Sequence, residues 1–317
     1  MCIRDRAYII YTSGTTTKPK GVLVSHGALL NYTKGLKNEV SHISLQSFAH
    51  VSAIQADLGN TSIFLSLGYG GTLLFPSQEV LLDPLLMSGF FRKNPADVLK
   101  IVPSHLEAFS EIIKEILPSK VLICGGESLS NSLVLLIQEN KSKELIVINH
   151  YGPTETTIGV LTHELDFNNL EDRIPIGKPI NNTKVYLLDE FLNPVPNGVE
   201  GEICISGSNL ANGYLNDPKL TGQKYINVDD EKIYRTGDRG IINEKGKIIF
   251  LGRTDSQIKI NGFRIELSEI ESVLKNHPDI ENACVSPYNC KLISYYPINT
   301  YNEIYSQPYL TTYHQPV

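Results

Sequence analysis

Between residue 7 and about residue 164, short apolar runs alternate with amphipathic stretches, the pattern of buried parallel strands covered by helices. The spacing predicts strands over residues 7–11, 72–75, 98–102, 121–124 and 145–149, the first of them of the buried type, with helices over 105–116 and 129–139. From about residue 174 to 252 the texture changes. Short strands at 184–188, 201–206 and 247–251, separated by Asn, Pro and Gly turns, read as a small β-barrel or antiparallel sheet. Residues 268–275 read as a helix with Ser268 as N-cap and Glu271 as its capping-box partner.

The fold class expected is therefore α/β. A large subdomain over 1–254 combines helix-flanked parallel sheets (7–165) with a β-barrel-like part (174–253), and a hinge with a partial small α+β subdomain follows over 255–317. The first six residues are mostly polar, and the tail after Pro297 is a Tyr, Asn and Pro mixture without periodicity; both are expected to be scars of truncation.

Composition narrows the partners. Hydrophobic residues at 41% and charged residues at 20% exclude a disordered chain. A formal charge of −6 argues against nucleic acid or an anionic membrane as the main partner, since either needs an excess of Lys and Arg. No apolar run is long enough to cross a bilayer, and Met1-Cys2-Ile3-Arg4-Asp5-Arg6 lacks the apolar core of a signal peptide, so a cytoplasmic protein is expected. Cys2, Cys124, Cys204, Cys284 and Cys290 form no Cys-x-x-Cys pair, which points to buried reduced thiols rather than a disulfide framework or zinc site.

Candidate chemistry begins at Tyr11-Thr12-Ser13-Gly14-Thr15-Thr16-Thr17-Lys18-Pro19-Lys20-Gly21, which follows a predicted strand and precedes a helical pattern starting near Ser25. Small hydroxyl residues let N–H and O–H groups surround a phosphate, and two lysines add charge, as a triphosphate requires. The common P-loop ending is absent, and a solvated Ser/Thr-rich loop is the plain alternative. Three polar residues interrupt apolar surroundings: Asp57, Lys100 inside a predicted strand, and His150 at the end of another. A buried charge needs a partner, and a substrate can supply it. For Lys100, snorkelling or pairing with Asp97 or Glu127 is the alternative.

The loop resembles that of the adenylate-forming superfamily, which includes acyl-CoA synthetases, luciferases and the adenylation domains of nonribosomal peptide synthetases. Further motifs follow in that family's order: Asn149-His150-Tyr151-Gly152-Pro153-Thr154-Glu155; Gly201-Glu202-Ile203 with Gly213-Tyr214-Leu215; Tyr234-Arg235-Thr236-Gly237-Asp238; and Gly252-Arg253 to Arg264-Ile265-Glu266. The likeness covers about residues 7–296. Thr17 departs from it, standing where the family has Gly.

The resemblance implies that a substrate carboxylate attacks the α-phosphorus of ATP. Thr12, Ser13, Gly14, Thr15, Thr16, Lys18 and Lys20 would cradle the phosphates, Thr154 would touch the α-phosphate, and Glu155 would hold Mg2+. Gly126 would lie against adenine, with Asn149 and Tyr151 nearby, while Asp238 and Arg253 would meet the ribose and phosphate oxygens. Asp255 would be the hinge, and Lys259 and Gly262 would face a carrier's thiol. Asp57 matches the acid that pairs with an α-ammonium group, which favours amino acids over fatty or aryl acids.

Leu58, Thr61, Lys100, Ile123, Gly125, His150, Ile158 and Gly159 would complete the pocket. This set is similar to that of aspartate-activating adenylation domains, with Lys100 and His150 binding the side-chain carboxylate; asparagine is the nearest alternative. The expected function is activation of L-aspartate for loading onto phosphopantetheine of a peptidyl carrier domain, beside a condensation domain in the same assembly line. An acyl-CoA synthetase or aryl-acid ligase, or an impaired nucleotide-binding module, are the rival readings. The family's catalytic lysine near the end of the small domain has no counterpart here, the last lysine being Lys291, and the large domain's N-terminal portion is absent too. A fragment poor at complete catalysis is expected.

Overall fold

The computed structural model describes residues 5–13, 19–255, 257–260, 262–278, 280, 282–288 and 291–295. The loop residues Gly14, Thr15, Thr16, Thr17 and Lys18, the first four residues and the tail after residue 295 lie outside the described residues.

The chain opens with an antiparallel hairpin, β1 (Arg6–Thr12) and β2 (Lys20–Ser25), which sets Thr12 opposite Lys20 across the hydroxyl-rich turn. The predicted first strand is thus corrected: among the described residues it pairs with β2 alone, lies off the main sheet and is half-buried, because its outer residues Ile9 and Tyr11 face solvent. Helix α1 (His26–Glu39) follows directly, and the Ser25 hydroxyl caps it by accepting from Ala28 N–H.

A seven-stranded sheet forms the centre. It contains β3 (Ser47–His50), β4 (Thr72–Leu74), β5 (Val98–Ile101), β6 (Val121–Gly125), β7 (Ile146–Tyr151), β8 (Leu161–Glu164) and β9 (Lys178–Pro179), in spatial order β4-β3-β5-β6-β7-β8-β9. The first five in that order run parallel, β8 is antiparallel to β7, and β9 is antiparallel to β8. Alternate residues feed two core layers. Phe48, Val98, Val121, Ile123 and Ile148 meet Tyr32 and Leu36 of α1 and Leu65 of α2 (Asn60–Tyr69). Ala49, Leu99, Ile101, Leu122 and Val147 face the other layer. There they meet Met87 and Phe91 of α4 (Pro84–Lys93), which follows the short α3 (Gln78–Leu82), and Leu106 of α5 (Pro103–Ala108). Ile113 of α6 (Ile113–Ile116) and Ile137 of α7 (Asn131–Asn140) complete that layer.

The single helix predicted over 105–116 is instead α5, a 3₁₀ turn at Ser110–Ile112 and α6. Its apolar spacing is helical, but Ser110 and the β-branched Ile112 and Ile113 have modest helix propensity, and the chain turns at Phe109.

The second sheet is antiparallel and curled like half a barrel. Strands β10 (Thr183–Leu188), β11 (Gly201–Gly207), β12 (Tyr225–Val228), β13 (Glu231–Ile242) and β14 (Ile248–Arg253) run in order β10-β11-β13-β12, with β14 on the other half of β13. Helix α8 (Pro218–Lys224) precedes β12. A bridge from Gly177 to Ile248 ties this sheet to the central one.

A smaller α+β region follows, made of β15 (Gln257–Ile260), β16 (Phe263–Glu266), α9 (Leu267–Lys275), β17 (Cys284–Tyr288) and β18 (Lys291–Tyr295). The capping box is corrected here. The N-cap of α9 is Glu266, with no side-chain cap, and Ser268 lies inside the first turn. Glu271 instead accepts from Val285 N–H at 2.9 Å. Strand β16 runs straight into the helix, so no turn exists for Ser268 to close.

Cys124 and Cys204 are buried free thiols as expected, but Cys284 is exposed. Among the described residues no helix is long and apolar enough to cross a membrane.

Candidate active site

The carboxyl ends of β5, β6 and β7 bring the polar interruptions together. Register places Lys100 beside Ile123, and Gly125 beside His150. Lys100 is 1% exposed and His150 3%, and their Nζ and Nδ1 atoms lie 2.6 Å apart. Burial pushes the Lys100 ammonium down to about 7, against the opposing pull of Asp57. Burial first, and Lys100 second, hold His150 well below its ordinary value. The imidazole is therefore neutral; when Lys100 donates to Nδ1 the ring proton sits on Nε2, which is buried and has no partner among the described residues.

Asp57 starts the 3₁₀ turn Asp57–Gly59 that leads into α2. Burial raises its carboxyl to about 6, in spite of a hydrogen bond from Thr154 and the positive field of Lys100. Among the described residues its Oδ2 has no hydrogen-bond partner. A carboxylate oxygen, which accepts, and an imidazole nitrogen thus lie buried without partners among the described residues, positions that a ligand can fill. The local alternatives for Lys100 are engaged elsewhere. Asp97 takes Gln46 N–H, Ser119 and Lys120, and Glu127 takes the N–H groups of Ser104 and Gly262.

Glycines and strain shape the walls. A Cβ on Gly159 would overlap the His150 ring, and one on Gly125 would stand 2.6 Å from His150 O. Thr157 and Ile158 have φ of 63° and 67°, a left-handed pair that costs about 1–3 kcal/mol per residue and is held by Thr157 Oγ1 donating to Asn209 O. Thr61 shares a 2.7 Å hydrogen bond with the Tyr32 hydroxyl, and Leu58, Ile123 and Ile158 are buried.

On the nucleotide side, Ser13 donates to Arg264 O at 2.6 Å, Thr12 is buried, and Lys20 is lowered by burial within the field of Glu266, Arg264 and Glu155. Asp238 accepts from Tyr151 and Arg253, and Arg253 also grips both oxygens of Asp255 at 2.7 and 2.9 Å. Asp238 lies within β13, where Gly237 has φ 76°. Gly126, at φ 88°, lies against Leu58 and Val102. Asn149 lies on the other face of β7 from His150 and on the same face as Tyr151, and donates its side-chain amide to Pro175 O at 2.8 Å.

Glu155 is fully buried. Arg264 Nη1 holds both of its oxygens at 2.7 and 2.9 Å, Tyr214 donates to Oε1 at 2.7 Å, and Tyr225 donates to its main-chain O. Burial alone would raise the carboxyl, but Arg264 and Tyr214 outweigh it and hold it below the ordinary value. A magnesium ion does not fit on Glu155 in this arrangement, since Arg264 occupies the oxygens it needs, and no group of three or more His, Cys, Asp or Glu among the described residues could hold one.

The family model described as AMP-binding enzyme matches residues 3–215. The chain belongs to the AMP-binding family of adenylate-forming adenylation domains. This AMP-binding domain is 40% identical over 284 residues to bacitracin synthase 3 of Bacillus licheniformis, covering 88% of the chain and 4% of that protein. It is 38% identical over 286 residues to tyrocidine synthase 1 of Brevibacillus parabrevis, covering 89% of the chain and 26% of that protein.

Among solved structures it superposes with TM-score 0.83 on PA1221, an NRPS protein containing adenylation and PCP domains, at 29% identity over 93% of this chain and 62% of that one. The adenylation domain AlmE of Vibrio cholerae, in complex with glycyl-adenosine-5′-phosphate, also gives TM-score 0.83, at 28% identity over 91% of this chain and 57% of that one. The chain thus spans only a small part of the curated relatives' own length, 4% of bacitracin synthase 3 and 26% of tyrocidine synthase 1.

Two parts of the AMP-binding domain's cleft were not assigned by sequence reasoning: Arg264, on Glu155, and Glu127, on Gly262. Arg264 stands in the last of the quoted family motifs without a role of its own, and Glu127 was read only as an alternative partner of Lys100.

Proposed function

We propose that this domain activates L-aspartate as its aminoacyl-adenylate with ATP, for thioester loading onto the phosphopantetheine of a peptidyl carrier domain, with a condensation domain in the same assembly line. The observation that carries the reading is the pairing, within one buried floor, of an unpartnered carboxylate oxygen on Asp57 with the Lys100–His150 donor pair. Asp57 accepts the α-ammonium group. The Lys100 ammonium and His150 Nε2–H take the side-chain carboxylate, and that anion in turn stabilises the charged form of Lys100. A neutral amide offers no such return, which disfavours asparagine.

With the amino acid held at both ends, a carboxylate oxygen attacks the α-phosphorus. The new O–P bond forms as the bond to pyrophosphate breaks, and pyrophosphate leaves. Thr154, beside Asp57, and Ser13, Lys20 and the remaining hydroxyl-rich turn supply donors to phosphate oxygens. Asp238 and Arg253 fix the ribose side. A carrier thiolate then attacks the acyl carbon and AMP departs. The large subdomain over 1–254 and the small one over 255–317 turn on Asp255 between these steps.

The PCP domain named with PA1221 and the synthases among the relatives support the carrier and assembly-line parts of this reading. Amino-acid-dependent pyrophosphate exchange over all twenty amino acids, in the longer polypeptide, tests it. Aspartate should stimulate exchange most, and a preference for asparagine, or exchange unaffected by Lys100→Ala, overturns the assignment.

A further inference from the structure

The turn that carries Asp57 stands on a histidine to which the adenylation reading gives no role. His50 is the last residue of β3, where register pairs it with Lys100 of β5. The pair Phe48–Val98 lies two residues earlier and packs on α1 and α2, so alternation puts His50 and Lys100 on that same face of the sheet. One rung of two neighbouring strands thus holds the Lys100 ammonium and a second imidazole.

His50 is 2% exposed, and its Nδ1 lies 3.1 Å from Gly59 O, in the turn Asp57–Gly59. A carbonyl only accepts, so Nδ1 carries the ring proton and donates it. Nε2 is then a bare acceptor, buried and without a partner among the described residues. Burial holds the imidazole below its ordinary value, against the opposing effect of the bond to Gly59, which agrees with a neutral ring. The Phe75 ring, just past β4, stacks on it with 4.7 Å between centroids and 25° between planes.

The fit to Gly59 is closer than a hydrogen bond alone requires. Gly59 has φ −65° and ψ −23°, dihedrals open to any residue, so the backbone does not call for glycine. The ring does, because a Cβ on Gly59 would overlap it and stand 2.6 Å from Nδ1. A separate bond ties α2 to the same strand, Ser62 Oγ donating to Ala49 O at 2.7 Å. That bond anchors the helix, whereas His50 acts on the turn ahead of it, which Asn60 N–H closes on Asp57 O. We propose that His50 is a positioning residue for recognition of the α-ammonium group: bonded to Gly59 O and filling the space of a Gly59 Cβ, its ring fixes the turn so that the Asp57 carboxylate keeps its place relative to Lys100. The proposal rests on the reading of Asp57 as the ammonium acceptor, and His50 acts through the turn rather than on the substrate. The rung His50–Lys100 then sets the span between the acceptor for the ammonium and the donors for the side-chain carboxylate.

The test measures, in the longer polypeptide, calorimetric binding of two non-hydrolysable adenylate analogues, the aspartyl one and its succinyl counterpart, which lacks the α-amino group. The ratio of their affinities reads ammonium recognition alone. His50→Phe keeps a ring for Phe75 to stack on and removes the donor, while His50→Asn returns an N–H near the position of Nδ1. Ser62→Ala removes the other tie between α2 and β3. The wild type should prefer the aspartyl analogue. In His50→Phe that preference should fall about tenfold, with the succinyl analogue staying within about twofold of its wild-type affinity. His50→Asn should recover most of the preference, and Ser62→Ala should keep it.

A purely structural role would weaken both analogues together and leave the ratio where it was. An unchanged ratio in His50→Phe, or an equal fall in Ser62→Ala, overturns the proposal. If His50→Phe does not fold, Gly59→Ala, whose added methyl displaces the ring, decides on the same ratio. A wild type with no preference for the aspartyl analogue overturns the reading of Asp57 and this proposal with it, whereas a wild-type preference that survives in His50→Phe overturns the proposal alone.

Discussion

Lys100 Nζ lies 2.6 Å from His150 Nδ1, in a floor where neither residue exposes more than 3% of its surface. Two basic groups in contact within a dry core do not stabilise each other, and the cost falls on the charged state of both. The arrangement makes sense as a receptor for an anion, and the consequences of that can be measured.

The first concerns pH. Aspartate binding needs Asp57 ionised and Lys100 protonated, and their values lie at about 6 and about 7. The profile of kcat/KM for aspartate should be a bell with its maximum between these values, falling on the acid side as Asp57 takes a proton and on the alkaline side as Lys100 loses one. Asparagine, used at high concentration, should show the acid limb and lack the alkaline one. A profile flat across both values contradicts the assignment of these groups.

Stability and selectivity should part at Lys100. Its value is lower in the folded chain (about 7) than the ordinary 10.5, so between these pH values the unfolded chain holds the extra proton and stability rises with pH. Lys100→Met removes the buried ammonium and should be more stable than wild type near neutral pH by on the order of 2 kcal/mol, with no such slope, while losing aspartate-dependent exchange. Denaturant melts at several pH values check this.

Gly159→Ala should drive the His150 ring away from Lys100, because the added methyl overlaps it. Aspartate kcat/KM should fall by more than tenfold, about 1.4 kcal/mol or more, with a stability loss of about 1–3 kcal/mol. Retained selectivity would show that the ring position does not matter.

Glu155→Gln leaves the Arg264 guanidinium buried without its counter-charge, and should destabilise the protein by about 3–5 kcal/mol in chemical unfolding. A change within error would show that the ion pair is not formed in solution.

The parallel strands at the centre were legible because β5, β6 and β7 are continuous apolar runs, and Lys100 and His150 stood out as interruptions of them. What the residues did not reveal has particular causes. Strand β13 carries Thr236 and Gly237, which read as a turn, yet Gly237 supplies a left-handed residue inside a strand that pairs on both sides. Ser268 and Glu271 match a capping box by spacing alone, and the strand entering α9 without a turn denies it. The contact of Arg264 with Glu155 joins residues far apart in the chain and leaves no local periodic trace.

The most direct measurement is calorimetric binding of two non-hydrolysable adenylate analogues, aspartyl and asparaginyl, to the longer polypeptide. Their difference is confined to the group that Lys100 and His150 are held to receive. The account predicts aspartyl binding at least about tenfold tighter, with the preference abolished in Lys100→Met. Equal affinity, or tighter binding of the asparaginyl analogue, would contradict it.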